Sequence, residues 1–233
     1  MQYNWSPSLL TGQKAGHVYG RDGDTGEVKK EMDKEKMLKE LKSKIRQCPN
    51  KEKCDRRKTL FGRGVPSGRA DESKVWDVMF IGWAPNPRYE GREDRKVFGL
   101  YSPTGRMANC LKACIECKMR KSLSVWMTNL IKCSCPEDKR KNAVEHCNRF
   151  LKEEIRIIDP KVIVLFGHNV RKNVEWAKSI KCKEIPCVSD AVIIEGKSYP
   201  CVFSYSPAAP GRKFVDSLDD TAEMIIQVLR GRE

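Results

Sequence analysis

Eleven cysteines, at positions 48, 54, 110, 114, 117, 133, 135, 147, 182, 187 and 201, are the residues of this chain most able to do chemistry. Thiolates bind soft metals and iron–sulfur clusters, and free thiols also serve as small buried apolar groups. An odd number cannot all pair, and a reducing cytosol does not keep ordinary disulfides, so metal ligation or burial is the expected account. Cys110, Cys114 and Cys117 stand at i, i+4 and i+7 of a helical pattern, which predicts a buried face, with Cys114-x-x-Cys117 as an alternative redox pair. Cys182, Cys187 and Cys201 fall in no usable pattern. Between positions 90 and 94 lie three carboxylates, Glu90, Glu93 and Asp94, interleaved with Arg92, Arg95 and Lys96.

The charge balance names a partner class. Of 233 residues, 45 are Lys or Arg and 31 are Asp or Glu, a formal charge of +14. Neutralising phosphates releases condensed counterions, so a nucleic acid is the expected polyanion, against the plainer reading of a Lys-rich surface kept for solubility. The 39% hydrophobic content, with five Trp and seven Phe, supplies a core and excludes global disorder. The longest apolar run is Val162 to Phe166, far short of the roughly 20 residues of a membrane-spanning helix. Residues 1–7 lack the basic region and apolar stretch of a secretory signal, so the expected location is the cytoplasm.

The elements that must position these residues follow from periodicity. Residues 1–28 are polar, carry five glycines between Gly12 and Gly26, and read as a flexible arm; residues 29–233 read as one domain. Met32, Met37, Leu38, Leu41 and Ile45 predict an amphipathic helix over 29–46 that runs into Cys48. Strands are predicted over 75–82, 124–132, 161–167 and 199–205, and helices over 104–117, 142–158, 169–179 and 215–230. This alternation argues for a mostly parallel sheet covered on both faces. Such sheets bind ligands beyond the carboxyl ends of their strands, which directs attention to Trp83-Ala84-Pro85-Asn86, Asn129, Gly167-His168-Asn169 and Ser206-Pro207-Ala208-Ala209.

Three of these segments have a further property in common. Phe80-Ile81-Gly82-Trp83-Ala84-Pro85-Asn86 with Val97-Phe98-Gly99, Met127-Thr128-Asn129-Leu130-Ile131-Lys132-Cys133, and Phe203-Ser204-Tyr205-Ser206-Pro207-Ala208-Ala209 resemble, in order and spacing, the motifs of the uracil-DNA glycosylase superfamily. The likeness is to its iron–sulfur branches, families four and five, and covers residues 38 to 233. It implies a three-layer α/β fold around a central, mostly parallel four-stranded sheet. It also implies a 4Fe-4S cluster held by Cys48, Cys54, Cys133 and Cys147. Five residues separate Cys48 from Cys54 where the family commonly has two, which keeps tetrahedral zinc as an alternative, and Cys135 is an alternative ligand to Cys133.

By the same resemblance Phe98 stacks on an extruded base, Asn129 reads its hydrogen-bonding edge, and Trp83 and Ala84 line the base site. An Asn amide can present either face, so uracil and cytosine both remain open. Trp83 stands where family four has a water-handling glutamate, and Ser206 where it has a histidine supporting the anionic base. Loss of such an electrostatic donor typically costs about 10²–10³ in rate. Asp94 is the expected replacement carboxylate, with Glu90 and Glu93 as alternatives. Asn86, near the C5 edge of the pyrimidine in relatives, is smaller than the thymine-excluding tyrosine found there, which suggests a base with a polar C5 substituent.

Phosphate contacts are expected from Arg63, Arg92, Arg95, Lys96, Arg212 and Lys213, with Pro210 and Arg212 as residues that could enter the duplex. The sequence thus predicts a monomeric, monofunctional DNA glycosylase acting on single- or double-stranded DNA, with uracil-like, hydroxymethylated or glucosylated phage bases as the expected targets. No lysine of the matched motifs is placed as a Schiff-base nucleophile. The alternatives are an iron–sulfur protein that binds modified DNA without cleaving it, and a zinc or thiol redox protein.

Overall fold

The structure, a computed structural model, describes residues 25–49, 55–59, 61–65, 76–85, 97–100, 102–178, 180, 182–209 and 211–232. The strands are β1 (Asp55–Thr59), β2 (Arg63–Val65), β3 (Val78–Gly82), β4 (Val125–Asn129), β5 (Cys133–Ser134), β6 (Val162–Phe166), β7 (Cys187–Ile194) and β8 (Lys197–Ser204). The helices are α1 (Thr25–Arg46), α2 (Pro103–Met119), α3 (Arg140–Ile158), α4 (His168–Asn173), α5 (Lys213–Asp216) and α6 (Leu218–Arg230). The main sheet has the order β2-β4-β3-β6-β8-β7. Its four middle strands are parallel, as the sequence predicts, and antiparallel β2 and β7 extend it at the edges.

Strands β3, β4 and β6 are buried at every position, the pattern of strands covered on both faces. Alternation then divides them between two cores. Met79, Ile81, Ile163, Leu165 and Phe203 pack against Leu151, Ile155 and Ile158 of α3. Val78, Phe80, Val164, Phe166 and Val202 pack against Leu111 and Ile115 of α2 and Ile225 and Ile226 of α6. The result is three layers, helix, sheet, helix. Helix α1 adds Leu41 and Ile45 to Phe150 and Ile157 on the outer side of α3. No helix of the described residues is long and apolar enough to cross a membrane.

Three expectations change. The buried stripe of α2 is Gly105, Ala108, Leu111 and Ile115, so Cys110 and Cys117 are exposed and Cys114 is half-buried. The helix predicted over 169–179 stops at Asn173, because the Asn148 amide of α3 donates to the Asn173 carbonyl and accepts from the Glu175 N–H; a short 3-10 turn, Glu175–Ala177, follows. Cys182 and Cys187 are joined as a disulfide, contrary to the expectation of unpaired thiols. Residues 1–24 lie outside the described residues.

Candidate functional site

The chain order places β4 to one side of β3 and β6 to the other, so the direction of winding reverses at β3, the position where open α/β sheets form a ligand crevice. A cavity of about 610 Å³ opens there, and every middle strand contributes to it from its carboxyl end. Gly82, Trp83, Ala84 and Pro85 come from β3, Asn129 from β4, Phe166 to Asn169 from β6, and Ser206 to Ala209 from β8. Phe98 closes one side.

Phe98, Asn129 and Ser206 therefore face one space, although they lie far apart in the chain. Gly82 is the pivot. A Cβ on it would lie 2.5 Å from Asn129 Oδ1 and 2.7 Å from the Phe98 ring, so the absent side chain lets amide and ring converge. Asn129 is buried and pairs in register with Gly82, and the Leu130 and Ile131 amides continue the pairing to the Gly82 and Trp83 carbonyls at 2.8 and 2.9 Å. Trp83 and Ala84 are half in the cavity wall and half against the core beneath it. The Ser206 Oγ accepts from the Ala208 N–H at 3.2 Å, which fixes the turn and leaves its own O–H to donate.

Phe98 is held from two sides in a left-handed conformation, φ 51°. On one side the Arg63 guanidinium donates to the Val97 and Phe98 carbonyls at 2.8 and 3.0 Å. On the other, Ser102 caps α2 while donating to the Gly99 carbonyl, and Gly105 leaves room for the Phe98–Gly99 backbone. Arg63, expected to contact phosphate, also donates from its Nε and Nη2 to the loop that carries Phe98. The ring itself meets Phe166 edge-on at 5.9 Å.

Beneath Asn129 lies a buried polar network. Glu154 accepts from Trp126 Nε1 and Thr128 Oγ1, each at 2.9 Å, and from Lys132 Nζ, which also donates to Thr128 Oγ1. Glu154 is 3% and Lys132 1% exposed, so each charge depends on the other. The network anchors the end of β4 on both sides of Asn129.

Cys133 follows Lys132 directly, and Cys147 lies in α3. Burial pushes the Cys147 thiol up to about 11, the Lys132 N–H counteracts by donating to it, and the Cys133 and Cys48 thiols both act on it electrostatically. Pairing of β1 with β5 sets Asp55 opposite Ser134 and Thr59 opposite Cys133. Cys54 lies outside the described residues. Among the described residues no group of three or more His, Cys, Asp or Glu is arranged to hold a metal ion. The donor set is thiol-rich and suits iron–sulfur or zinc chemistry. Cys135, the alternative ligand, is buried beside Cys147 in the core.

Asn86, Glu90, Arg92, Glu93, Asp94, Arg95, Lys96 and Pro210 lie outside the described residues. Arg212 is 81% exposed beside Asp216, and the Lys213 ammonium sits 5.9 Å from the Tyr205 ring. Sequence reasoning left Thr104, Arg140 and Phe166 unassigned, and gave His168 and Asn169 only a place after a strand, yet all five line the cavity. Arg140 enters from the first turn of α3, tethered by its Nε to the Cys135 carbonyl, a tertiary placement no local pattern signals.

Comparison with known proteins agrees with this geometry. The chain is 26% identical over 168 residues to a "Type-4 uracil-DNA glycosylase" of Sulfurisphaera tokodaii, an alignment that takes in 70% of this chain and 66% of that protein's length. Residues 71–228, from ahead of β3 into α6, match the family model of the uracil DNA glycosylase superfamily. That match covers well over half of the sequence and contains every described residue of the cavity, and the chain belongs to this superfamily.

Proposed function

We propose that this protein is a monofunctional DNA glycosylase that draws a pyrimidine nucleotide out of DNA and hydrolyses its N-glycosidic bond. The observation that carries the reading is the convergence of Phe98, Asn129 and Ser206 on one cavity at the switch of the sheet. Water adds to C1′ and gives up a proton, the bond to the base N1 breaks with its electron pair going to the base, the base takes up a proton, and a sugar with a C1′ hydroxyl and no base remains. Phe98 offers a stacking face worth about 1–3 kcal/mol, which offsets much of the cost of unstacking. Asn129 accepts from the pyrimidine N3–H and donates to O4. Ser206 donates to the departing base, Asp94 positions water, and Asn86 faces the C5 edge. Arg92, Arg95, Lys96, Arg212 and Lys213 hold phosphates.

Cys48, Cys54, Cys133 and Cys147 would hold a 4Fe-4S cluster, which supplies a cross-link between the helix α1 segment and the sheet. The order of the four cysteines along the chain, two ahead of β3 and two after β4, supports that choice. The substrate base carries uracil-like hydrogen bonding or a C5 hydroxymethyl or sugar substituent, as found in phage DNA, which would make the activity a defence as well as a repair reaction. Trp83, Asn86 and Ser206 together motivate the modified base.

A second reading is a protein that binds such DNA without cutting it. It is favoured by one observation: among the described residues no carboxylate lines the cavity. Oligonucleotides carrying uracil, hydroxymethylcytosine or glucosylated hydroxymethylcytosine, single-stranded and mispaired, separate the two when scored for alkali-sensitive sites. Cleavage of any one establishes the glycosylase, and cleavage of uracil alone removes the modified-base reading. Tight binding with no abasic product in any substrate establishes the second.

A further inference from the structure

We infer that His168 is a catalytic residue of this site, the hydrogen-bond donor that receives negative charge on the departing base alongside Ser206. The inference rests on the glycosylase reading and deepens it. Strands β6 and β8 are parallel with Phe166 opposite Ser204, and the Gly167 amide donates to the Ser204 carbonyl at 2.8 Å, so the two chains leave the sheet side by side. Two residues further on, His168 and Ser206 emerge at the same level and line the same cavity. Gly167, at φ 86°, makes the turn, and a Cβ there would lie 2.9 Å from that of Ser206.

The charge requirement selects His168. Bond cleavage moves an electron pair onto the base, and a donor positioned there stabilises the charge as it develops. Among the described residues of the cavity only Arg140 and His168 have side chains that can carry positive charge. Arg140 is tied by its Nε to the Cys135 carbonyl. The His168 imidazole is exposed and makes no hydrogen bond or ion pair with any described residue, so both ring nitrogens are available to a ligand. Ser206, a neutral donor, sits beside it and orients a second bond to the same edge of the base.

The test compares wild type, H168Q, S206H and the H168Q/S206H pair in single-turnover excision at saturating protein, on whichever oligonucleotide of the uracil and hydroxymethylcytosine panel the wild type cleaves. H168Q is expected to slow excision about 10²–10³-fold while its Kd for the same oligonucleotide stays within threefold. S206H, which puts an imidazole at the adjoining position, is expected to restore at least tenfold in the H168Q background. An H168Q rate within threefold of wild type overturns the inference and leaves the glycosylase standing. So does a loss confined to Kd with a log–log salt slope reduced by about 0.9, which would make His168 a phosphate contact. A wild type that cleaves none of the panel overturns both readings.

Discussion

Arg63→Met is the perturbation that most sharply separates what the structure says from what the charge pattern suggests. The guanidinium donates two hydrogen bonds, at 2.8 and 3.0 Å, to the carbonyls on either side of the Phe98 amide linkage. Hydrogen bonds from a charged donor contribute about 1.5–3 kcal/mol each, so the pair holds the loop by roughly 3–6 kcal/mol. Phe98 sits at φ 51°, a conformation that costs a residue with a side chain about 1–3 kcal/mol and persists only when the surroundings enforce it. Without the two bonds the loop relaxes away from the base-stacking position. If about 3 kcal/mol of the holding energy is lost, the competent state becomes the minor one, and apparent affinity falls with its population, about 100-fold.

The assay is binding of an oligonucleotide carrying a 2′-fluoro analogue that resists hydrolysis, measured by fluorescence anisotropy from low to moderate salt. Arg63→Met is expected to weaken binding about 100-fold at every salt concentration, with an unchanged log–log slope, and Arg63→Lys, which can restore one bond, to weaken it about tenfold. A slope reduced by about 0.9 would show that Arg63 neutralises a phosphate and would refute the loop-holding role. Unchanged affinity would refute both.

Three further substitutions test neighbouring parts. Gly82→Ala should abolish excision by at least about 10²-fold with unchanged far-ultraviolet circular dichroism, because the new methyl would displace the Asn129 amide and the Phe98 ring together. Glu154→Ala should cost about 3–5 kcal/mol in urea denaturation by stranding Lys132, whereas the Lys132→Met/Glu154→Leu pair should cost far less than the sum of its parts. Cys147→Ser should eliminate bound iron and visible absorption, both measured on the purified protein, while Cys110→Ser on the exposed face of α2 keeps them; zinc in the wild type would contradict the cluster.

The middle of the sheet was legible because its strands are unbroken apolar runs, such as Val162 to Phe166, whose burial on two faces needs no further information. The edges were not. Strand β7 contains Ser189 and Asp190 and carries a register shift between Ser189 and Val192, so its pattern has no clean period. The end of α4 is set by Asn148, a residue of another helix, and local periodicity cannot report it. The cysteines of α2 misled for a related reason: the stripe Ala108, Leu111, Ile115 and the stripe Cys110, Cys114, Cys117 are both apolar by composition, and only the packing of the sheet decides between them. At the site, Asn129 and Ser206 could be placed because they end or follow strands, but which cation holds a backbone loop depends on contacts made across the fold, as Arg63 shows.

The central claim is that the cavity beyond β3, β4, β6 and β8 receives an extruded pyrimidine. It is tested most directly by the structure of the protein bound to a non-hydrolysable 2′-fluoro oligonucleotide. The account predicts the target base unstacked from its neighbours, its ring against Phe98 and its edge within about 3.2 Å of the Asn129 amide. A base left in the DNA stack, or nucleic acid bound to another face with the cavity empty, would contradict it.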